Sequence, residues 1–177
     1  MIRLEKLTSE NRYEFAKTLE EILTYKFNCH VDDLPKNYSR NWEWGLLNLI
    51  ENGRLTDYCL LYLNDKIWAG SGGRVRNFNG KKIYQVAFRA FSCATDQYKA
   101  LGMKSLFHKY MTLEQIANAK KYDCQQVIMS YNENSKRLFE ITHKYILPRA
   151  LPDLVWHAST EPVIFNTVPQ WLIIHDL

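Results

Sequence analysis

The chain has 177 residues, 46% hydrophobic and 14% aromatic, which suits one compact domain over residues 1–177 and leaves little room for a second. No apolar run approaches the ~20 residues needed to cross a bilayer. The opening Met1-Ile2-Arg3-Leu4-Glu5-Lys6 has no signal-peptide character, so a cytoplasmic protein without a membrane partner is expected. The net charge of +4 is unevenly placed, with eight Lys/Arg against ten Asp/Glu in residues 1–60 (−2) and fifteen against nine in residues 61–177 (+6). That tilt suits an anionic partner, whether a phosphorylated cofactor or nucleic acid.

Ile2 to Leu7 reads as extended and is followed, after the capping types Thr8, Ser9 and Asn11, by a helix with Phe15, Leu19, Ile22, Leu23 and Phe27 near one face. A polar connection, 28–40, leads to a second predicted helix carrying Trp42, Leu46, Leu47, Leu49 and Ile50 and closed by Asn52-Gly53. From Asp57 the period shortens. Tyr58 to Leu63 is an apolar strand, Asn64-Asp65 a turn, Ile67 to Arg76 the next strand, and Asn79-Gly80 the pair best suited to a type I′ hairpin turn. The chain returns through Lys82 to about Ser92. Gly70, Gly72 and Gly73 inside a strand signal a bulge or a close approach to the backbone.

Met103, Leu106, Phe107, Tyr110, Leu113 and Ala117 then repeat at helical spacing. Gln126 to Tyr131 reads as a buried strand, Asn134 to Lys144 as a helix, and the tail from Val155 as two short strands around Pro162 and Pro169. The predicted order is β-α-α-β-β-β-α-β-α-β-β, an α/β (α+β) fold with a mixed, mostly antiparallel sheet of about 6–7 strands flanked by helices. The four cysteines, Cys29, Cys59, Cys93 and Cys124, form no CxxC pair and have no zinc-finger partners, so reduced thiols and no metal are expected.

The segment Phe91 to Lys104 joins a strand to a helix through a turn. The first N–H groups of a helix have no intrahelical acceptor and carry the positive end of its dipole, so such a junction can seat a pyrophosphate. Ala100 and Gly102 are small enough to let phosphates approach, and Lys99 and Lys104 add charge.

Gln97-Tyr98-Lys99-Ala100-Leu101-Gly102 resembles the Gln/Arg-x-x-Gly-x-Gly/Ala signature of the GNAT superfamily of acyl-CoA-dependent N-acyltransferases, with Ala100 in place of the first glycine. Asn132-Glu133-Asn134-Ser135-Lys136-Arg137-Leu138-Phe139 resembles the family's second motif, Asn-x-x-Ala-x-x-Leu-Tyr. With the order of elements, the resemblance covers about residues 57–145, and it implies a fold, an activity and a site. The activity would be transfer of an acyl group, most often acetyl, from acyl-CoA to an amine by direct attack on the thioester.

By the same resemblance, the backbone of Phe91 and Ser92 would pair with pantetheine and Gln97 to Met103, with Lys104, would hold the pyrophosphate. Asn132 would reach the pantetheine or thioester, with Ser135 and Phe139 beside it. The family often uses the tyrosine of the second motif to protonate the leaving thiolate. Here that position is Phe139, which leaves Tyr131 and Tyr145 as substitutes. The fourth strand carries no acid, so a base there would act through water, with Gln85, Arg89 and Ser92 its polar residues. The region of Cys29 to Asp33 and Trp42-Glu43-Trp44 is a candidate acceptor pocket. The five histidines, His30, His108, His143, His157 and His175, show no spacing that singles one out. Two alternatives stand beside this reading: a relative that modifies nucleic acid, favoured less, and a non-catalytic acyl-CoA-binding module. A monomer or homodimer fits either way.

Overall fold

A computed structural model describes residues 1–28, 30, 33, 48, 50–91, 104–131, 136–165 and 168–177. The elements are β1 (Ile2–Lys6), α1 (Arg12–Phe27), β2 (Asp57–Leu63), β3 (Lys66–Phe78), β4 (Lys81–Phe91), α2 (Lys104–Lys121) and β5 (Gln126–Tyr131). There follow α3 (Lys136–Ile141), a π-turn over Thr142–Ile146, α4 (Leu147–Ala150), β6 (Val155–Ala158), β7 (Val163–Phe165) and β8 (Val168–Asp176). Among the described residues the sheet has eight strands in the order β1-β2-β3-β4-β5-β8-β6, with β7 paired to β8 off this path. The chain forms two compact units, Met1–Gly72 with Phe88–Phe107 and Gly73–Ala87 with His108–Leu177. Of the second expected helix, Asn48, Ile50 and Glu51 are described and helical, and Gly53 at its close takes φ 71°.

In the first unit, β1 lies antiparallel to β2 with Ile2 opposite Leu63 and Lys6 opposite Cys59. Just ahead of α1, the Asn11 side chain accepts from the Thr8 N–H at 2.8 Å and donates to the Lys6 carbonyl at 2.9 Å, which fixes the turn between β1 and the helix. Phe15, Thr18, Leu19 and Ile22 are buried at helical spacing, and the Phe15 ring lies 5.4 Å from that of Tyr58. Asp57 to Tyr62 are all buried, as the apolar run requires of a strand covered on both faces. A Cβ on Gly70 would stand 2.6 Å from the Tyr58 ring. The close approach that the glycines signalled is made at this position by a core tyrosine.

In the second unit, Asn79 and Gly80 have φ of 48° and 75°, the two positive values of a type I′ turn. Helix α2 ends where Asp123 takes φ 52° and the Cys124 N–H reaches back to the Ala119 carbonyl at 2.9 Å, a Schellman closure with aspartate in the usual glycine position. Ile116 and Ala119 of α2 pack on Tyr84, Val127, Met129, Phe139 and Ile173. β5 is parallel to β4, with Ile83, Tyr84 and Gln85 opposite Gln126, Val127 and Ile128. On its other side, β5 is antiparallel to β8 along its whole length, from Gln126 opposite Asp176 to Tyr131 opposite Trp171.

Two details differ from the expected layout. The helix expected over residues 134–144 runs on to Ala150 through the π-turn, whose widened bond joins the Leu147 N–H to the Thr142 carbonyl. Pro148 is accommodated because it falls in the first turn of α4, where its missing N–H is not needed. The tail contributes three strands rather than two, because Pro169 lies inside β8, near its start, opposite Ile164 of β7.

Candidate functional site

β4 ends at Phe91 and α2 begins at Lys104. Ser92, Gln97, Tyr98, Lys99, Ala100, Leu101, Gly102 and Met103 lie outside the described residues, so Phe91 and Lys104 mark the borders of the expected phosphate seat. α2 is 18 residues long and has no acidic residue in its first turn, while Lys120 and Lys121 occupy its last. The basic pair complements the negative end of the dipole. No carboxylate of the first turn competes for the positive end, where an anionic ligand fits.

Asn132 and Ser135 also lie outside the described residues. Phe139 is 2% exposed, with its ring stacked on Tyr131 at 5.0 Å, met edge-on by His108 at 5.0 Å and flanked by His143 at 6.2 Å. It is a core residue. Tyr131 is itself 5% exposed and stacks on Trp171 at 6.5 Å, and Lys136 lies over that tryptophan at 4.3 Å. Tyr145 is 64% exposed on the π-turn. The two tyrosines expected as proton donors thus sit in opposite environments, one packed among aromatic rings and one in solvent. The acceptor candidates around Cys29 and Trp42 to Trp44 are outside the described residues, apart from His30 and Asp33.

Gln85 is 3% exposed, and its Oε1 accepts a hydrogen bond from Arg74 Nε at 3.0 Å. With the oxygen engaged, the carboxamide presents its NH2 as a donor and has no means of collecting a proton. Reading β4 strand by strand missed Arg74. Counting outward from the Asn79-Gly80 turn would have found it, since a two-residue turn sets Arg74 and Gln85 opposite each other. Arg76 lies over the Phe78 ring at 5.4 Å, and burial, followed by the charge of Arg74, lowers its pKa. Among the described residues no cluster of three metal-ligating side chains occurs, and no helix is long and apolar enough to cross a membrane.

This architecture matches solved structures along its whole length. An acetyltransferase of the GNAT family from Staphylococcus aureus Mu50 superposes with a TM-score of 0.63 at 11% identity, covering 100% of this chain and 99% of that one. The fold is that of the GNAT acetyltransferases. An aminoglycoside N-acetyltransferase gives a TM-score of 0.65 at 8% identity, covering 99% of this chain and 96% of that one. The PaiA N-acetyltransferase from Thermoplasma acidophilum, solved in complex with coenzyme A, gives 0.58 at 11% identity, covering 100% and 99%. No family model matches the sequence, and no curated protein does either. The GNAT fold is therefore recognised through backbone geometry at identities where side-chain identity carries little.

Proposed function

We propose that this protein is an acyl-CoA-dependent N-acyltransferase, with acetyl-CoA as the favoured donor and an amine as acceptor. The observation that carries the proposal is the end-to-end GNAT fold, shared with a neighbour solved with coenzyme A bound. It is joined to a sequence signature, Gln97 to Gly102, just ahead of a long helix with no acid in its first turn.

In this reading the backbone of Phe91 and Ser92 aligns pantetheine. Gln97, Tyr98, Lys99, Ala100, Leu101, Gly102 and Met103 give main-chain N–H groups to the pyrophosphate, and Lys104 adds charge. Asn132 offers its amide to the pantetheine arm, with Ser135 beside it. Phe139, being core, holds the first turns of α3 in place rather than touching the ligand. The amine attacks the thioester carbonyl, hydrogen-bond donors stabilise the developing oxyanion, and the thiolate of CoA leaves. Gln85, as a fixed donor, supports acceptor placement and leaves proton removal to water. Tyr131, at the end of β5 next to Asn132, and Tyr145 are the candidate proton sources for the thiolate.

The test is release of free thiol from acetyl-CoA in the presence of pooled primary amines, followed by mass spectrometry of the amines. Protein-dependent thiol release with an acetylated amine supports transfer. Tight CoA binding without release favours a non-catalytic binding module, and absence of both removes the proposal.

A further inference from the structure

His143 in the π-turn and His175 on β8 are both buried, and their Nε2 atoms lie 3.0 Å apart. His143 Nδ1 lies 2.8 Å from the Phe139 carbonyl, which only accepts, so this nitrogen carries a proton. In the neutral ring its Nε2 is then a bare acceptor, and the proton between the rings belongs to His175 Nε2. His175 Nδ1 is left as a buried lone pair with no hydrogen-bond partner among the described residues. The tautomers of both rings are thus fixed by one carbonyl.

A further proton has two places to go, and both are unfavourable. On His143 Nε2 it would set N–H against N–H across 3.0 Å. On His175 Nδ1 it would bury a charged donor with no acceptor among the described residues. The titratable groups that face His175 are His143 from the π-turn, His157 from β6, and Asp176 beside it on β8. Asp176 favours a charge on His175. Its Oδ1, however, already accepts from Gln126 Nε2 at 2.7 Å, and its Oδ2 lies 3.8 Å from His157 Nδ1. Burial and the neighbouring rings outweigh it, and His175 is held down to a pKa of about 3.

We propose that the His143–His175 pair is a proton-operated latch fastening the π-turn and the helix that carries Phe139 to strand β8. The latch is closed while both rings are neutral and one proton lies between the two Nε2 atoms. When the segment lifts, both rings meet water and take up protons, so acid favours the open form. An open ring with the ordinary pKa of about 6.5 gains roughly thirtyfold in proton-bound weight at pH 5.

The experiment is ring-nitrogen NMR of the wild-type histidines, combined with hydrogen exchange of residues 136–150 at pH 7.5 and pH 5, corrected for intrinsic rates. The expected result is two fixed, complementary tautomers at pH 7.5. Protection over 136–150 should fall at least tenfold at pH 5 in the wild type and in His157→Gln. The His143→Leu/His175→Leu double variant should lose that extra sensitivity. If the double variant does not fold, His175→Gln replaces it, because a carboxamide can turn to accept from a protonated His143 and keep the segment closed. Tautomer-averaged rings titrating near 6.5, or protection of 136–150 that is insensitive to pH or equally sensitive in the variants, would overturn the latch.

Discussion

Gly73 lies against the ring of Tyr84 so closely that a Cβ built on the glycine would stand 2.2 Å from two ring atoms. Tyr84 is fully buried in the cluster with Ile116, Val127 and Phe139 and has no room to withdraw. Gly73→Ala is therefore expected to destabilise the protein by about 1–3 kcal/mol, the usual cost of overpacking a core. Chemical denaturation read by tyrosine and tryptophan fluorescence measures it, and an unchanged midpoint would contradict the packing described.

Gly80 is the opposite case. Among the described residues nothing lies within 4 Å of a Cβ placed there, but φ is 75°. Gly80→Ala should cost about 1–2 kcal/mol through its dihedral alone. Gly80→Asn, which tolerates that region better, should recover part of the loss. The ordering wild type, Asn, Ala in denaturation midpoint is the expected outcome.

Arg74 and Gln85 provide a double-mutant test. Arg74→Met removes the donor to the buried Gln85 oxygen and should cost about 1–3 kcal/mol. Replacing both residues by Met should cost less than the sum of the single changes. Strict additivity in urea denaturation would show that the pair does not interact.

Stability should also depend on pH through His175. Its folded pKa of about 3 lies below the ordinary 6.5, so between these values the unfolded chain binds more protons than the folded one. The contribution is complete above pH 6.5, declines as the pH falls toward 3, and changes no further below that. The slope attributable to this residue reaches at most about 1.4 kcal/mol per pH unit. Urea unfolding at half-unit steps from pH 8 to pH 4 measures it, with His175→Leu as the comparison.

The hairpins were legible because their chemistry is local. Asn79-Gly80 admits few conformations, and the apolar run from Tyr58 to Leu63 can be only a strand or a short buried helix. The π-turn was not legible, since one widened hydrogen bond between Leu147 and Thr142 leaves the spacing of apolar residues almost untouched. β8 was obscured by Pro169, which normally ends a strand but is accepted near the start of this one. Of the site, the expected phosphate seat rests on a contiguous sequence signature, Gln97 to Gly102, which lies outside the described residues. The Arg74–Gln85 pair follows only when the Asn79-Gly80 turn is used to set the strand register, and the His143–His175 pair joins residues 32 apart, which no local pattern reports.

The proposed function requires that the start of α2 receive the diphosphate of coenzyme A. Calorimetric titration of coenzyme A into the wild-type protein and into Gly102→Glu tests it most directly. Saturable one-to-one binding is expected for the wild type and none for the variant, whose carboxylate would fill and repel the phosphate seat while the folded spectrum stays unchanged. Equal affinity in both proteins, or no binding by the wild type, would contradict it.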